Sequence, residues 1–157
     1  MIRAATLADL PRLHALVQEM HARSIYADIP LHQATVRSVL LDGVKRHGGL
    51  HASSTLFNVI EFRGQIEGMM LGILQPLYLI CERLESQDFW LYCSKRAPAI
   101  GAAQLLDAYT EWASNNPKVH EVKLSWTDAL HVDGDRLAKL YQRKGFARIG
   151  GIYRRDK

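Results

Sequence analysis

The sequence is short of the features that announce most specialised architectures. Its two cysteines, Cys81 and Cys93, cannot build a disulfide framework, which makes the cytoplasm the expected compartment. No run of about 18 apolar residues occurs, so no membrane-spanning helix is expected. The opening MIRAATLADL carries an acid and lacks the apolar core of a signal peptide, which speaks against secretion. There is no internal repeat, linker or low-complexity stretch. A metal site is equally unsupported: His47 and His51 are four apart across Gly48-Gly49, so no helix holds them together and further ligands are missing. Acids are scarce near the end, where Arg136, Lys139, Arg143, Lys144, Arg148, Arg154, Arg155 and Lys157 face Asp156 alone. Such a basic end attracts polyanions. No aromatic-interleaved basic stretch or zinc-finger spacing accompanies it, which disfavours nucleic acid and leaves a solvated face as the simpler reading.

What is present is ordinary: 157 residues, 48% hydrophobic and 23% charged, with a net charge of +4. That describes one globular domain over residues 1–157, long enough to bury a real core. Residues 2–5 read as a short strand. Thr6 or Asp9 caps a helix in which Leu10, Leu13, Val17 and Met20 share one face. Residues 24–31 break the pattern at Pro30. A second helix is expected over 32–45, with Val36, Val39, Leu40 and Val44 inward. Strands over 55–61 and 66–74 flank Phe62-Arg63-Gly64-Gln65, a hairpin turn with Gly64 free to take positive φ. Residues 75–87 fit either an irregular extension or a strand end.

The chain is organised around residues 89–112. Phe89 to Cys93 reads as a strand, Ser94-Lys95-Arg96 as a polar corner, and the following small residues lead into a helix with Leu105, Leu106, Tyr109 and Trp112 on one face. The first amides of a helix have no partner inside it, so such a corner suits an anionic phosphate group. Asn115-Asn116-Pro117 ends the helix. A strand over 119–126, a loop, a helix over 136–144 capped by Gly145, and a last strand over 146–153 complete the reading.

Arg96-Ala97-Pro98-Ala99-Ile100-Gly101 resembles the Q/R-x-x-G-x-G/A signature of the GCN5-related N-acetyltransferases, the GNAT superfamily. Leu137 to Phe146 resembles the same family's A-x-x-L-Y-x-x-x-G-F segment, and Gly64 to Gly68 its hairpin segment. The resemblance implies an α/β (α+β) fold: one mixed, mostly antiparallel twisted sheet of six to seven strands, flanked by about four helices and splayed at the two central strands. It implies an N-acetyltransferase that uses acetyl-CoA to acetylate a small-molecule or peptide amine by direct attack in a ternary complex. The pyrophosphate would lie on the amides of Arg96, Ala97, Ala99, Ile100, Gly101 and Ala102, and the pantetheine arm beside Leu91-Tyr92-Cys93. Tyr141 would be the general acid; read from composition alone, it packs between helix and sheet with a locally bonded hydroxyl. Tyr26, in the acceptor-side loop, and Asp128 are the substrate-contact candidates. For the base, Asp128, His131, Glu82, Glu85 and Asp88 stand as rivals. Family habit implies a homodimer. The chain departs from the pattern at Ala99, where the first glycine falls, at Pro98, which deletes an amide, and at Gly134, where an Asn is common. Trp90-Leu91-Tyr92 followed by this degenerate corner resembles a divergent, phage-type branch, and the departures raise a rival reading: a GNAT-fold binding or regulatory module that has lost catalysis.

Overall fold

A computed structural model describes residues 1–131 and 133–155, with the backbone alone at Asp128. The elements run β1 (Ile2–Ala4), α1 (Leu10–Ala22), α2 (Gln33–Lys45), β2 (Thr55–Phe62), β3 (Gln65–Pro76), β4 (Leu84–Cys93), α3 (Gly101–Ser114), β5 (Val119–Val122) and α4 (Gly134–Arg143). The strands form one sheet in sequence order. Every pairing is antiparallel except that of β4 with β5. A parallel pair needs a crossover, and α3 supplies it.

Alternation along β2 and β3 sorts the core into two layers. Phe57, Val59, Met69 and Leu71 face α1 and α2, where they meet Leu13, Leu16, Val17, Val36 and Leu40. Leu56, Ile60 and Met70 face α3 and α4, where they meet Leu105, Leu106, Tyr109 and Tyr141. The β2–β3 hairpin turns through Arg63 (φ 52°) and Gly64 (φ 74°), both left-handed, the geometry that matches strand twist in a two-residue loop. α4 ends in a Schellman motif. Gly145 (φ 87°) lets its own N–H reach the Gln142 carbonyl and the Phe146 N–H reach the Tyr141 carbonyl, both at 3.0 Å. The Phe146 ring thereby folds back onto Tyr141, with centroids 6.3 Å apart. That contact is what the Leu-Tyr-x-x-x-Gly-Phe spacing encodes.

Two expectations are revised. The sheet has five strands among the described residues, not six or seven, because the segment over 146–153 is no strand. Ile149 and Ile152 are 81% exposed and Tyr153 95%, so this tail buries too little to offset the cost of ordering it. The ambiguous segment over 75–87 resolves into the end of β3, a 3-10 turn over Leu77–Leu79, and the start of β4.

Candidate active site: the splay between β4 and β5

β4 and β5 pair only from Leu84 to Ser86, and the last backbone bond between them is Lys123 N–H to the Ser86 carbonyl, 2.9 Å. Beyond it the ladder is replaced by side chains. The Lys123 carbonyl accepts from the Tyr109 hydroxyl (2.8 Å), the Ser125 N–H donates to the Asp88 carboxylate (2.7 Å), and the Ser125 carbonyl accepts from the Tyr141 hydroxyl (3.1 Å). Two phenols and a carboxylate thus take up three peptide groups of the segment that follows β5, while the facing edge of β4 is left without a strand partner.

On its other edge β4 carries a bulge. Leu71 pairs with Trp90 and Gly72 with Asp88, leaving Phe89 as the extra residue. A one-residue insertion reverses which side chains face which layer. Before the bulge, Ser86 bonds Tyr109 of α3 at 2.9 Å; after it, Leu91 and Cys93 pack toward α3, while Trp90 and Tyr92 face α1 and α2. The backbone alternates too. Ser94 N–H bonds the Glu67 carbonyl of β3 at 2.8 Å, so Tyr92 and Trp90 also bond toward β3. The peptide groups of Leu91 and Cys93 therefore point away from β3, along the edge that β5 has left. There they face a pocket of 170 Å³ lined by Arg23, Leu91, Tyr92, Cys93 and Leu130.

At the corner after β4, Ser94 organises the backbone. Its hydroxyl accepts from Arg96 N–H (3.1 Å) and its carbonyl from Ala97 N–H (3.1 Å), while Gly101 N–H bonds the Pro98 carbonyl (2.8 Å). Three of the candidate amides are therefore spent on local turns. Those of Ala99, Ile100 and Ala102 carry no hydrogen bond among the described residues and open toward the start of α3. Gly101 sits close to the sheet: a Cβ there would stand 2.5 Å from Ile60 Cδ1, and the end of that side chain would have to shift. Ser94 is itself held by Glu67, which is 3% exposed and accepts from the Ser94 hydroxyl (2.6 Å), Arg96 (2.9 Å) and Arg12 (3.1 Å). Burial pushes the Glu67 carboxyl up, but the Ser94 hydroxyl and the two guanidinium groups outweigh it and leave it below its usual range.

Tyr141, buried between α4 and the sheet, shares its cluster with Leu91 and Cys93 of the pocket wall. Burial, with the nearby Asp88 charge, pushes its phenol above the usual value and keeps it protonated. Asp88 is raised as well, chiefly by burial, against the Ser125 bonds that lower it. The Cys93 thiol is pushed up to about 11 by burial, which removes it as a nucleophile at neutral pH. Among the rivals for the base, Glu85 is held by Lys123 and Gln75, both at 2.6 Å, and Glu82 is exposed in the β3–β4 connection. His131 is exposed with a left-handed φ of 52°, and the Asp128 side chain lies outside the described residues. Tyr26 is 44% exposed on the α1–α2 loop. Its neighbour Ile25 donates to the Ala129 carbonyl at 2.8 Å, which pins that loop beside Leu130 at the pocket. His47 accepts the Phe57 N–H at 2.9 Å, and no metal-binding cluster occurs among the described residues. Sequence reasoning missed Arg23, Glu67 and Ser125. Only Glu67, a charge within an otherwise apolar strand, carried a signal.

This architecture is shared by solved structures. A putative acetyltransferase from Agrobacterium tumefaciens superposes with a TM-score of 0.70 at 16% identity, over 100% of this chain and 99% of that one. An acetyltransferase from Trypanosoma brucei gives 0.70 at 16%, over 100% and 99%. A ribosomal-protein-alanine N-acetyltransferase from Brucella melitensis gives 0.68 at 13%, over 100% and 99%. The chain has the GNAT fold. No protein-family model and no curated protein matches the sequence, so the likeness lies in the fold and not in aligned residues. In this chain Asp88, Tyr109 and Tyr141 bond the segment after β5 where it parts from β4.

Proposed function

We propose that the chain is a single-domain N-acetyltransferase over residues 1–157, of a divergent, phage-type GNAT branch and cytoplasmic, that uses acetyl-CoA to acetylate an amine by direct attack. The observation that carries this reading is the unpaired β4 edge, where the Leu91 and Cys93 peptide groups face a pocket at the splay. An extended amide-bearing arm docks on such an edge as an added strand does. The bound cofactor would supply an activated acetyl thioester. Leu91, Tyr92 and Cys93 would hold its arm, and the Leu91 N–H would polarise the acyl carbonyl. The Ala99, Ile100 and Ala102 amides fit a pyrophosphate at the helix start, with Arg96, 68% exposed at its side chain, beside them. Tyr141 keeps its proton at neutral pH and would deliver it to the departing thiolate after releasing the Ser125 carbonyl. Tyr26 and Asp128 would flank the acceptor, a small-molecule or peptide amine, and a homodimer is the proposed assembly.

A second reading, a binding module without catalysis, is favoured by the corner amides spent on local turns and by the engagement of Tyr141 with Ser125. Calorimetry with acetyl-CoA, followed by thiol release with a panel of amines, separates the two. Saturable binding and amine-dependent release are expected. Absence of both heat and thermal shift at millimolar cofactor would overturn the enzyme; binding without release on any amine would favour the module.

A further inference from the structure

The pocket at the splay has one charged wall. Arg23, at the C-terminal end of α1, lines it together with Leu91, Tyr92, Cys93 and Leu130, none of which carries an acid. The guanidinium is held from one side. Nη1 donates to the Tyr92 hydroxyl at 3.1 Å, and the group lies over the Tyr92 ring, 5.8 Å from its centroid. Nε and Nη2 carry no hydrogen bond, and Arg23 has no ion pair, among the described residues. Arg23 is exposed at the pocket mouth, whereas two arginines nearer the sheet are ion-paired: Arg3 is matched by Asp9 and Glu61, and Arg12 by Glu19 and Glu67. A planar fork of donors, oriented by a phenol and left without a counter-charge beside apolar walls, is the arrangement that recognises a carboxylate in two-point fashion.

We infer that Arg23 makes this pocket a receptor for a carboxylate carried by a reactant, so that the acceptor is a small amine bearing an acid group, of the amino-acid class. The inference rests on the acetyltransferase reading for the word acceptor, but the receptor itself stands on geometry alone. At 170 Å³ the space is smaller than the roughly 300–1,000 Å³ of drug-sized sites, which suits a compact acceptor. A second source of the same group is a dicarboxylic acyl thioester, whose free carboxylate would reach the same fork.

The test uses the full chain labelled with nitrogen-15, titrated with N-acetylglycine and with N-acetylglycinamide, which differ only in the carboxylate. The amides of Leu91 and Cys93 and the Nε–H of Arg23 are the reporters. N-acetylglycine is expected to shift them saturably, with an affinity about tenfold or more above that of the amide. Arg23→Gln is expected to bring the two compounds level. Arg23→Lys, which keeps the charge and loses the fork, should fall between. Equal affinities in the wild type, no shift with either compound, or a preference that survives Arg23→Gln would overturn the inference. Acetyl-CoA calorimetry on the same sample reports separately on the enzyme reading. Carboxylate preference without cofactor binding leaves the receptor and removes the acetyltransferase, and the reverse pattern does the opposite. Where turnover is found, glycine against methylamine, and acetyl-CoA against succinyl-CoA, distinguish a carboxylate brought by the amine from one brought by the acyl group.

Discussion

A single hydroxyl at Tyr141 serves two demands that pull in different directions. As a strut it donates to the Ser125 carbonyl and helps keep β5 off β4. As a proposed acid it must present that proton to a thiolate. Burial serves the strut by holding the ring against Phe146, and for the acid it keeps the proton in place while making it harder to give up. The two roles separate in Tyr141→Phe. A strut loses about 1 kcal/mol, the net worth of one hydrogen bond. An acid loses about a hundredfold or more in kcat, with little change in cofactor affinity. We expect both losses together, read from urea denaturation and from initial rates on an established acceptor. A variant that keeps its kcat would confine Tyr141 to the strut.

Among the elements, β4 decides the site, and the sequence reveals it only in part. α1, α2, α3 and α4 were legible because their apolar residues recur at helical period and their ends carry Pro11, Asn115 and Gly145. The β2–β3 hairpin was legible from Arg63-Gly64. The bulge at Phe89 was not, since a one-residue slip breaks alternation and leaves LESQDFWLYC without a readable period. The set of bonds at the splay was hidden for another reason: Asp88, Tyr109, Ser125 and Tyr141 come from separate elements, and nothing local shows that they meet. The tail over 146–153 misled in the opposite sense: its local alternation reads as strand, yet it pairs with no strand among the described residues and leaves Ile149, Ile152 and Tyr153 exposed. Gly72 is the residue that makes the bulge packable. A Cβ there would run into the ring of Tyr109, with Cδ2 at 2.7 Å, and Tyr109 is fully buried. Gly72→Ala should therefore cost about 1–3 kcal/mol, the range for overpacking a filled core. It should also perturb the Asp88 and Leu91 amide signals across the bulge. An unchanged denaturation midpoint would show that β4 yields more easily than this packing implies.

Over the whole molecule, five groups set how stability follows pH on the acid side, and four of them, His47, Asp9, Glu67 and Glu85, share one sign. His47 accepts the Phe57 N–H through Nδ1, and burial holds its pKa below the ordinary 6.5. Asp9 is lowered from 3.8 to about 2, first by the Arg3 side chain and against burial. Glu67 and Glu85 are lowered from 4.5, their salt bridges and hydrogen bonds outweighing the burial that raises them. A group whose pKa is depressed by folding binds fewer protons in the native state, so its contribution is present above the unfolded pKa and lost as pH falls through the folded one. Asp88, raised by burial, has the opposite sign: its contribution is fully present below 3.8 and lost as pH rises through its folded pKa, so it opposes the carboxylate decline only above 3.8. The urea midpoint should then hold its maximum near neutral pH. It should decline gently below the ordinary histidine value of 6.5 as His47 takes up a proton, and steeply below 4.5 as the carboxylates follow. His47→Gln should abolish the gentle limb and leave the steep one in place. A wild-type midpoint that is flat from pH 7 to pH 5 would mean that the imidazole loses nothing by charging, and that its bond to Phe57 does not hold the end of α2 to β2.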